Sequence, residues 1–395
     1  MCEMRGRLNP SNSYFWREIP CTEIFGWSET LLRTSGGYHQ HPFWTEPYRR
    51  MGIRPVYLGY GDSEVLTAYA CIQSIGLPGF RLGIVVNGPV NLQSDVPVDE
   101  RVLRSLTTWA KRAGYVFVKF SHRDAGFLGR VASLSNAEPV NAFPFFGGMN
   151  DELVVELREN EDEMLASFQS IARYEIRAAL RAEYEIRVSD SPRDFAQIWP
   201  MIERLSVRRG FRVYRPLAGW LDMIERASAQ KCARIYSAHL ASKTMQAILV
   251  VRDARTAEYM LGALDVDALG GNPSPACLLH WRAMRDAFAL GCVAYDLGPP
   301  SGKVFQFKRK FRPAHLLATE PVTVVTSRIR YWLWSKVILR TALPMWPRFR
   351  AMLSQALGRS CWPSGKPCDV RLAADGASAR VPLPAGELAA ARRAA

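Results

Sequence analysis

The chain reads as an α/β protein with two α/β domains in tandem, and three observations carry that reading. Its 395 residues exceed what one compact core normally holds. Hydrophobic residues make up 48% and charged residues 22%, the balance of an ordinary globular protein. One order of elements, a strand meander, a capped helix, a glycine and a further strand, occurs twice.

In the first occurrence, "RPVYLGYG" (54–61) and "VLTAYACIQSIG" (65–76) read as strands, followed by "LGIVVNGPVNL" (82–92). "VDERVLRSLTTWAKRAG" (98–114) reads as a helix with Asp99 near its start and Gly114 at its end, and "YVFVKFS" as the next strand. In the second, "ARIYSAHLAS", "MQAILVVRD" and "AEYMLGALD" read as strands. "NPSPACLLHWRAMRDAFALG" (272–291) reads as a helix with Ser274 as N-cap, Pro275 in the first turn and Gly291 as C-cap. "CVAYDLG" is again a strand. Between the two, Met164, Leu165, Phe168 and Ile171 recur at helical spacing. A second helix through "RYEIRAALRA" sets Arg173, Arg177 and Arg181 four residues apart on one face, either a solvated stripe or an anion-binding one. The expected divisions are a first domain with an N-terminal extension (1–150), a second domain carrying the transfer site (151–326) and a basic tail (327–395).

The net charge of +14 and the pI near 9.6 point to an anionic partner, whether nucleic acid, a phosphorylated substrate or a membrane surface. The eight cysteines form no C-x-x-C pair and lie mostly singly in apolar runs, which reads as a cytoplasmic protein without disulfides or structural zinc. The start lacks an apolar core of signal-peptide length, and the run "YWLWSKVILRTALPMW" is broken by Lys336 and Arg340. The six histidines show no spacing of a catalytic dyad or metal site, and "SHRD" (121–124) lacks the context of the kinase motif it imitates.

The segment "YDLGPPSGKVFQFKRKF" (295–311) places Lys308 among Phe305, Phe307 and Phe311. Read as a strand, it buries the phenylalanines on one face and sets Gln306, Lys308 and Lys310 on the other. That face is either a solvated edge or one aimed at a ligand.

Four motifs, in order from about residue 45 to 320, resemble the Fem family of peptidoglycan interpeptide-bridge aminoacyltransferases, which belong to the GNAT superfamily. They are "NGPV" (87–90), "RYEIRAALRAEYEIRV", "RLSVRRGFRVY" and the series "YMLGALD…CVAYDLG…FQFKRKF". The resemblance implies two tandem GNAT-like acyltransferase domains followed by the basic tail. It also implies that Arg208 and Tyr259 hold the acceptor's phosphate and peptide stem. Arg173 and Arg177 are further candidates for anion binding. Arg209 and Arg312 depart from the family pattern, and their added charge favours a more anionic acceptor. The chain has no R/Q-x-x-G-x-G/A turn of the kind that binds coenzyme A pyrophosphate.

Aminoacyl transfer requires an amine to attack an activated ester through an oxyanion, so positioning and charge stabilisation suffice. Lys308, held by packed aromatics, suits the oxyanion role. Asp296 suits a loop-orienting or general-base role. The expected donor is aminoacyl-tRNA or acyl-CoA, and the expected acceptor is an anionic envelope precursor. Neither a cofactor nor DNA is expected. Residues 321–368 hold eight Arg or Lys and no acid, with Trp332, Trp334 and Trp346 interleaved. This suits a segment (328–357) lying on anionic lipid at the inner face of the membrane, with a helix packed on the second domain or a tRNA-docking surface as the other readings. The alternatives to the envelope aminoacyltransferase are a GNAT-fold acyltransferase acting on an exported polysaccharide, and a non-catalytic RNA- or membrane-surface binding protein.

Overall fold

The β-branched and aromatic runs of the chain form two separate sheets in the computed structural model. It describes residues 14–342 apart from 63, 64, 78, 95, 144–146, 149, 212 and 301. In chain order the strands are β1 (Phe15–Glu18), β2 (Ile53–Gly61), β3 (Leu66–Leu77), β4 (Phe80–Val86), β5 (Val90–Asn91), β6 (Phe117–Ser121) and β7 (Ala137–Glu138). There follow β8 (Glu152–Glu156), β9 (Glu185–Ser189), β10 (Ala233–Leu240), β11 (Lys243–Arg252), β12 (Thr256–Leu264), β13 (Ala294–Asp296), β14 (Ala314–Leu316) and β15 (Val322–Val325). The first sheet runs β1-β2-β3-β4-β6-β15-β7, with β5 also on β3, and the second β14-β8-β13-β12-β11-β10-β9.

The repeated cadence has a structural counterpart. In each sheet an antiparallel meander ends in one parallel pair joined by a helix, as a parallel connection requires. In the first, β4 and β6 run parallel around helix Glu100–Arg112. Asp99 caps that helix through the Val102 amide, and Gly114 leaves it with φ +80°. In the second, β12 and β13 run parallel around helix Ala276–Ala289. Ser274 Oγ accepts the Ala276 amide at 3.3 Å, but Pro275 occupies the cap position itself. Leu290 ends the helix, and Gly291 follows at φ +90°.

The β12–β13 pairing covers only Thr256–Glu258 beside Ala294–Asp296. β12 continues to Leu264 while β13 stops, so an opening begins where Glu258 and Asp296 face each other.

Two segments cross between the halves. β15 pairs with β6 of the first sheet, although the sequence reading places it with the second half. Leu32, Tyr38, Phe43, Trp44 and Tyr48, from the N-terminal extension, join the core of the second sheet beside Trp220 and Leu249.

Residues 302–311 are helical, which corrects the expectation of a strand: helix Gly302–Lys308 runs into a 3-10 turn at Arg309–Phe311. A separation of four residues, as between Phe307 and Phe311, fits both period two and period 3.6, so spacing could not separate the two. The rings of Phe307 and Phe311 lie 5.5 Å apart, and of Lys308, Arg309 and Lys310 only Lys308 is turned fully inward. Lys310 instead reaches Glu175, and Arg309 lies over the Phe305 ring.

Helix Arg328–Leu333 buries Tyr331, and the following Trp334 is buried against Phe80, Phe117 and Phe143 of the first half. The anchored tryptophan therefore packs on the first half, not the second. A second unit starts at Ser335, and only its residues 335–342 are described, as part of a π-helical segment. The rest of the expected interfacial segment, including Trp346, lies outside the described residues. Among the described residues no helix is long and apolar enough to cross a membrane.

Candidate active site

Lys308 ends its helix with only 5% of its surface exposed, and its Nζ donates to the carbonyl of Pro299 at 2.9 Å. The loop "LGPP" brings that carbonyl there. Asp296 closes β13, and its Oδ1 accepts the Gly298 amide at 2.7 Å, turning the chain at once. Gly298 has φ +74°, a conformation that favours glycine. A Cβ at that position would lie 3.6 Å from Lys308 Nζ and 3.8 Å from the carbonyl oxygen of Tyr259. Lys308, the Gly298 turn and Tyr259 thus converge at the opening between β12 and β13.

Aromatic rings form the wall behind the lysine. His280 meets Tyr259 edge-on at 4.8 Å, lies 5.4 Å from Phe307, and shares a hydrogen bond with the Tyr295 hydroxyl at 3.1 Å. Burial, with Lys308 nearby, pushes the His280 pKa down to about 3, so the ring is neutral. Burial pushes the Tyr259 hydroxyl up to about 12. It also brings Lys308 down to about 8, opposed by the charges of Asp296 and Glu258.

A row of carboxylates faces this opening. Glu152, Asp296 and Glu258 lie on the neighbouring strands β8, β13 and β12. Arg123, just past the end of β6 in the other sheet, binds the row: Nε is 2.8 Å from Glu152, and Nη2 is 3.4 Å from Glu258 and 3.7 Å from Asp296. The Tyr38 hydroxyl also donates to Glu258. Burial and the charge of Asp296 raise the Glu258 pKa, against Arg123 and Tyr38. Burial and Glu152 raise that of Asp296, against Arg123, the Gly298 amide and Lys308. Burial works against the Arg123 charge, and the carboxylates of Glu152 and Glu258 outweigh it and keep the pKa up.

Of the residues singled out in the sequence, Lys308, Asp296 and Tyr259 come together here. Arg208 and Arg177 do not: both are exposed on helices, Arg208 in the last turn of Pro192–Arg209. Among the described residues neither shares a hydrogen bond or ion pair with Lys308, Asp296 or Tyr259. Arg173 carries a different contact from the anion expected of it. Its Nη1 donates to the carbonyls of Ala166 and Phe168, at the end of the preceding helix Glu161–Ser167, where unpaired carbonyls attract a cation.

Sequence reasoning missed Arg123, Glu152, Glu258 and Tyr38. One signal was present for Glu258, a carboxylate inside the otherwise apolar strand "AEYMLGAL". Arg123 sat in the dismissed "SHRD", where nothing local marks its partners. A surface cavity of about 210 Å³ lined by Thr30, Arg33, Thr34 and Asn91 shares no residue with the site.

Fold and comparison agree on the class. Residues 166–309, which include Glu258, Asp296 and Lys308, match the family described as an acetyltransferase (GNAT) domain. Residues 166–309 thus carry a GNAT acyltransferase domain, within a chain built of two tandem GNAT-like α/β halves. Its fold is similar to that of FemX, with a TM-score of 0.67 at 14% identity over 80% of this chain and 99% of that one. It is also similar to a conserved protein of unknown function from Bacteroides thetaiotaomicron, with a TM-score of 0.54 at 8% identity over 78% and 98%. No curated protein sequence matches the chain.

Proposed function

We propose that this acyltransferase moves an aminoacyl or acyl group from an activated donor to the amine of an anionic cell-envelope precursor. The observation that carries the reading is the Lys308 ammonium, held by Pro299 O and a wall of rings at the opening of the second sheet. A fixed cation in a water-poor place acts strongly on a developing oxyanion.

In this reading the acceptor amine attacks the donor carbonyl, and the carbonyl oxygen becomes an oxyanion beside Lys308 Nζ. The attacking nitrogen loses a proton, which the Glu258–Asp296 carboxyls are placed to receive because their raised pKa values suit proton uptake near neutrality. Collapse of the intermediate breaks the carbon–oxygen or carbon–sulfur bond of the donor. Tyr259 lines the opening beside the lysine. Arg208 and Arg177 supply exposed guanidinium groups for the precursor's phosphates, which suit their planar geometry.

The donor has two candidate classes. A GNAT domain favours an acyl-CoA type donor. The missing pyrophosphate-binding turn and the motif series that resembles the Fem family favour aminoacyl-tRNA. Contact with anionic lipid belongs to the same reading, since Ile329 (84% exposed) and Trp332 (60%) stand beside Arg328 and Arg330 on helix Arg328–Leu333. The inner membrane face is then the place of action.

The test offers purified full-length protein a labelled aminoacyl-tRNA pool or labelled acyl-CoA, with envelope precursors as acceptor. The expected result is label in the precursor with one donor and its loss in Lys308→Met. Equal transfer by wild type and Lys308→Met would overturn the reading.

A further inference from the structure

Arg123 belongs to the first half, yet its side chain ends among acids of the second. Its backbone is fixed at home: the Arg123 amide donates to Asn87 Oδ1 at 3.0 Å, and the Asn87 amide donates to Ser121 O at 2.8 Å. From that support the guanidinium spans three adjacent strands of the other sheet. Asp296, its most buried partner, has 1% side-chain exposure, against 32% for Arg123 itself. Neither Arg123 nor Glu152 nor Tyr38 lies within residues 166–309, so the matched domain contains only part of this arrangement.

We infer that Arg123 is a positioning residue for the transfer site: supplied by the first half, it fixes the row of carboxylates at the opening where Lys308 sits. The inference rests on the reading of Lys308 given above for its consequence in catalysis, though not for its geometry.

The electrostatics give the direction of the effect. Three carboxylates, Glu152, Glu258 and Asp296, face the two cations Arg123 and Lys308, and the buried Asp253 carboxylate also feels the Arg123 charge. From the first half, Tyr38, His39 and His122 also face Arg123. Burial and the Arg123 charge push His39 well down. Burial pushes His122 down to about 4, so both imidazoles are neutral near pH 7. Tyr38, raised by burial and by Glu258, stays protonated. The groups left to respond are the carboxyls and Lys308. Arg123 favours ionised Glu258 and Asp296, and those two charges favour protonated Lys308. Without Arg123 the carboxyls hold protons to higher pH, and Lys308 loses the charges that support its own. Its midpoint then moves to lower pH.

The experiment follows the Lys308 Cε resonance in protein labelled with ¹³C-lysine, assigned as the signal missing in Lys308→Met, through a pH titration. The chains compared are wild type, Arg123→Gln, Arg123→Lys and Glu258→Gln. The expected result is a lower midpoint in Arg123→Gln, recovery in Arg123→Lys, and a lower midpoint in Glu258→Gln. Transfer by Arg123→Gln near pH 7.5 should fall in kcat more than in KM, about threefold for the first pH unit of displaced midpoint and approaching tenfold for each further unit. An unchanged Lys308 midpoint in folded Arg123→Gln overturns the inference. If that variant fails to fold, an unchanged midpoint in Glu258→Gln does so. If the midpoints move as expected while Lys308→Met transfers normally, the inference stands and the proposed chemistry falls.

Discussion

Glu258 and Asp296 stand directly opposite each other across the parallel β12–β13 pair, and one guanidinium from the other sheet reaches both. Two buried carboxyls so close cannot both ionise freely, and Arg123 offsets part of that conflict. The opening of the second sheet starts at this pair, and Lys308 sits beside it.

Replacing Lys308 by methionine keeps the approximate length and removes the charge. Transfer should fall on the order of a hundredfold or more. Stability should not fall at neutral pH. Burial lowers the folded-state pKa of Lys308 to about 8, below its ordinary value, so the wild-type lysine weakens the fold at low pH. That cost disappears as pH rises through the interval between about 8 and the ordinary lysine range. Thermal unfolding of the two proteins at pH 7 checks this: a markedly lower Tm in Lys308→Met would mark the lysine as a structural strut.

The pH profile of kcat/KM should be bell-shaped. Activity should rise as the Glu258–Asp296 pair ionises and fall as Lys308 loses its proton near pH 8. Lys308→Arg should move the basic limb upward, since guanidinium keeps its charge. A basic limb that stays near pH 8 in a still-active Lys308→Arg would assign it to another group.

Gly37 has φ +49°, and a Cβ there would overlap the Asp253 carboxylate. The strap it belongs to ties the halves: Tyr38 reaches Glu258, while Gln40 Oε1 accepts the Cys71 amide at 2.7 Å. Gly37→Ala should destabilise the protein by about 1–3 kcal/mol through backbone strain. It should also reduce transfer, because Tyr38 follows directly. Denaturant unfolding measures the first effect, and unchanged stability would mean that the strap yields easily.

Trp332 and Trp334 should behave oppositely. Trp334 is fully buried, and its indole N–H donates to Ala142 O at 2.9 Å, so Trp334→Ala should cost about 3–5 kcal/mol. Trp332 is 60% exposed, so Trp332→Ala should leave Tm almost unchanged. The same Trp332→Ala change should weaken co-sedimentation with vesicles of anionic lipid, an attraction that salt also screens. Vesicle binding equal to wild type would remove this helix from the membrane reading.

The sequence by itself determined the local elements and their repetition. Asp99, Gly114 and Gly291 punctuate the two crossover helices because cap chemistry and left-handed φ depend on neighbouring residues alone. The buried strands were legible because apolar runs such as "LGIVV" and "AILVV" have few other places to go. Lys308, Asp296 and Tyr259 were legible as a group because one ordered series of motifs contains all three.

Tertiary structure decided what the lysine faces. Arg123 and Glu258 lie 135 residues apart, and no periodicity links the end of β6 to the start of β12. Their meeting depends on how two separately formed sheets are brought together by the strap at 36–41 and by β15. Packing also chose helix over strand for residues 302–311, where the spacing of the phenylalanines suited both. Arg173 was claimed by carbonyls of the helix before it, since a nearby unpaired acceptor competes with any distant anion. Local chemistry sets most of the elements; long-range packing sets the rest, and which charges share a low-dielectric space, and with it the state of Lys308.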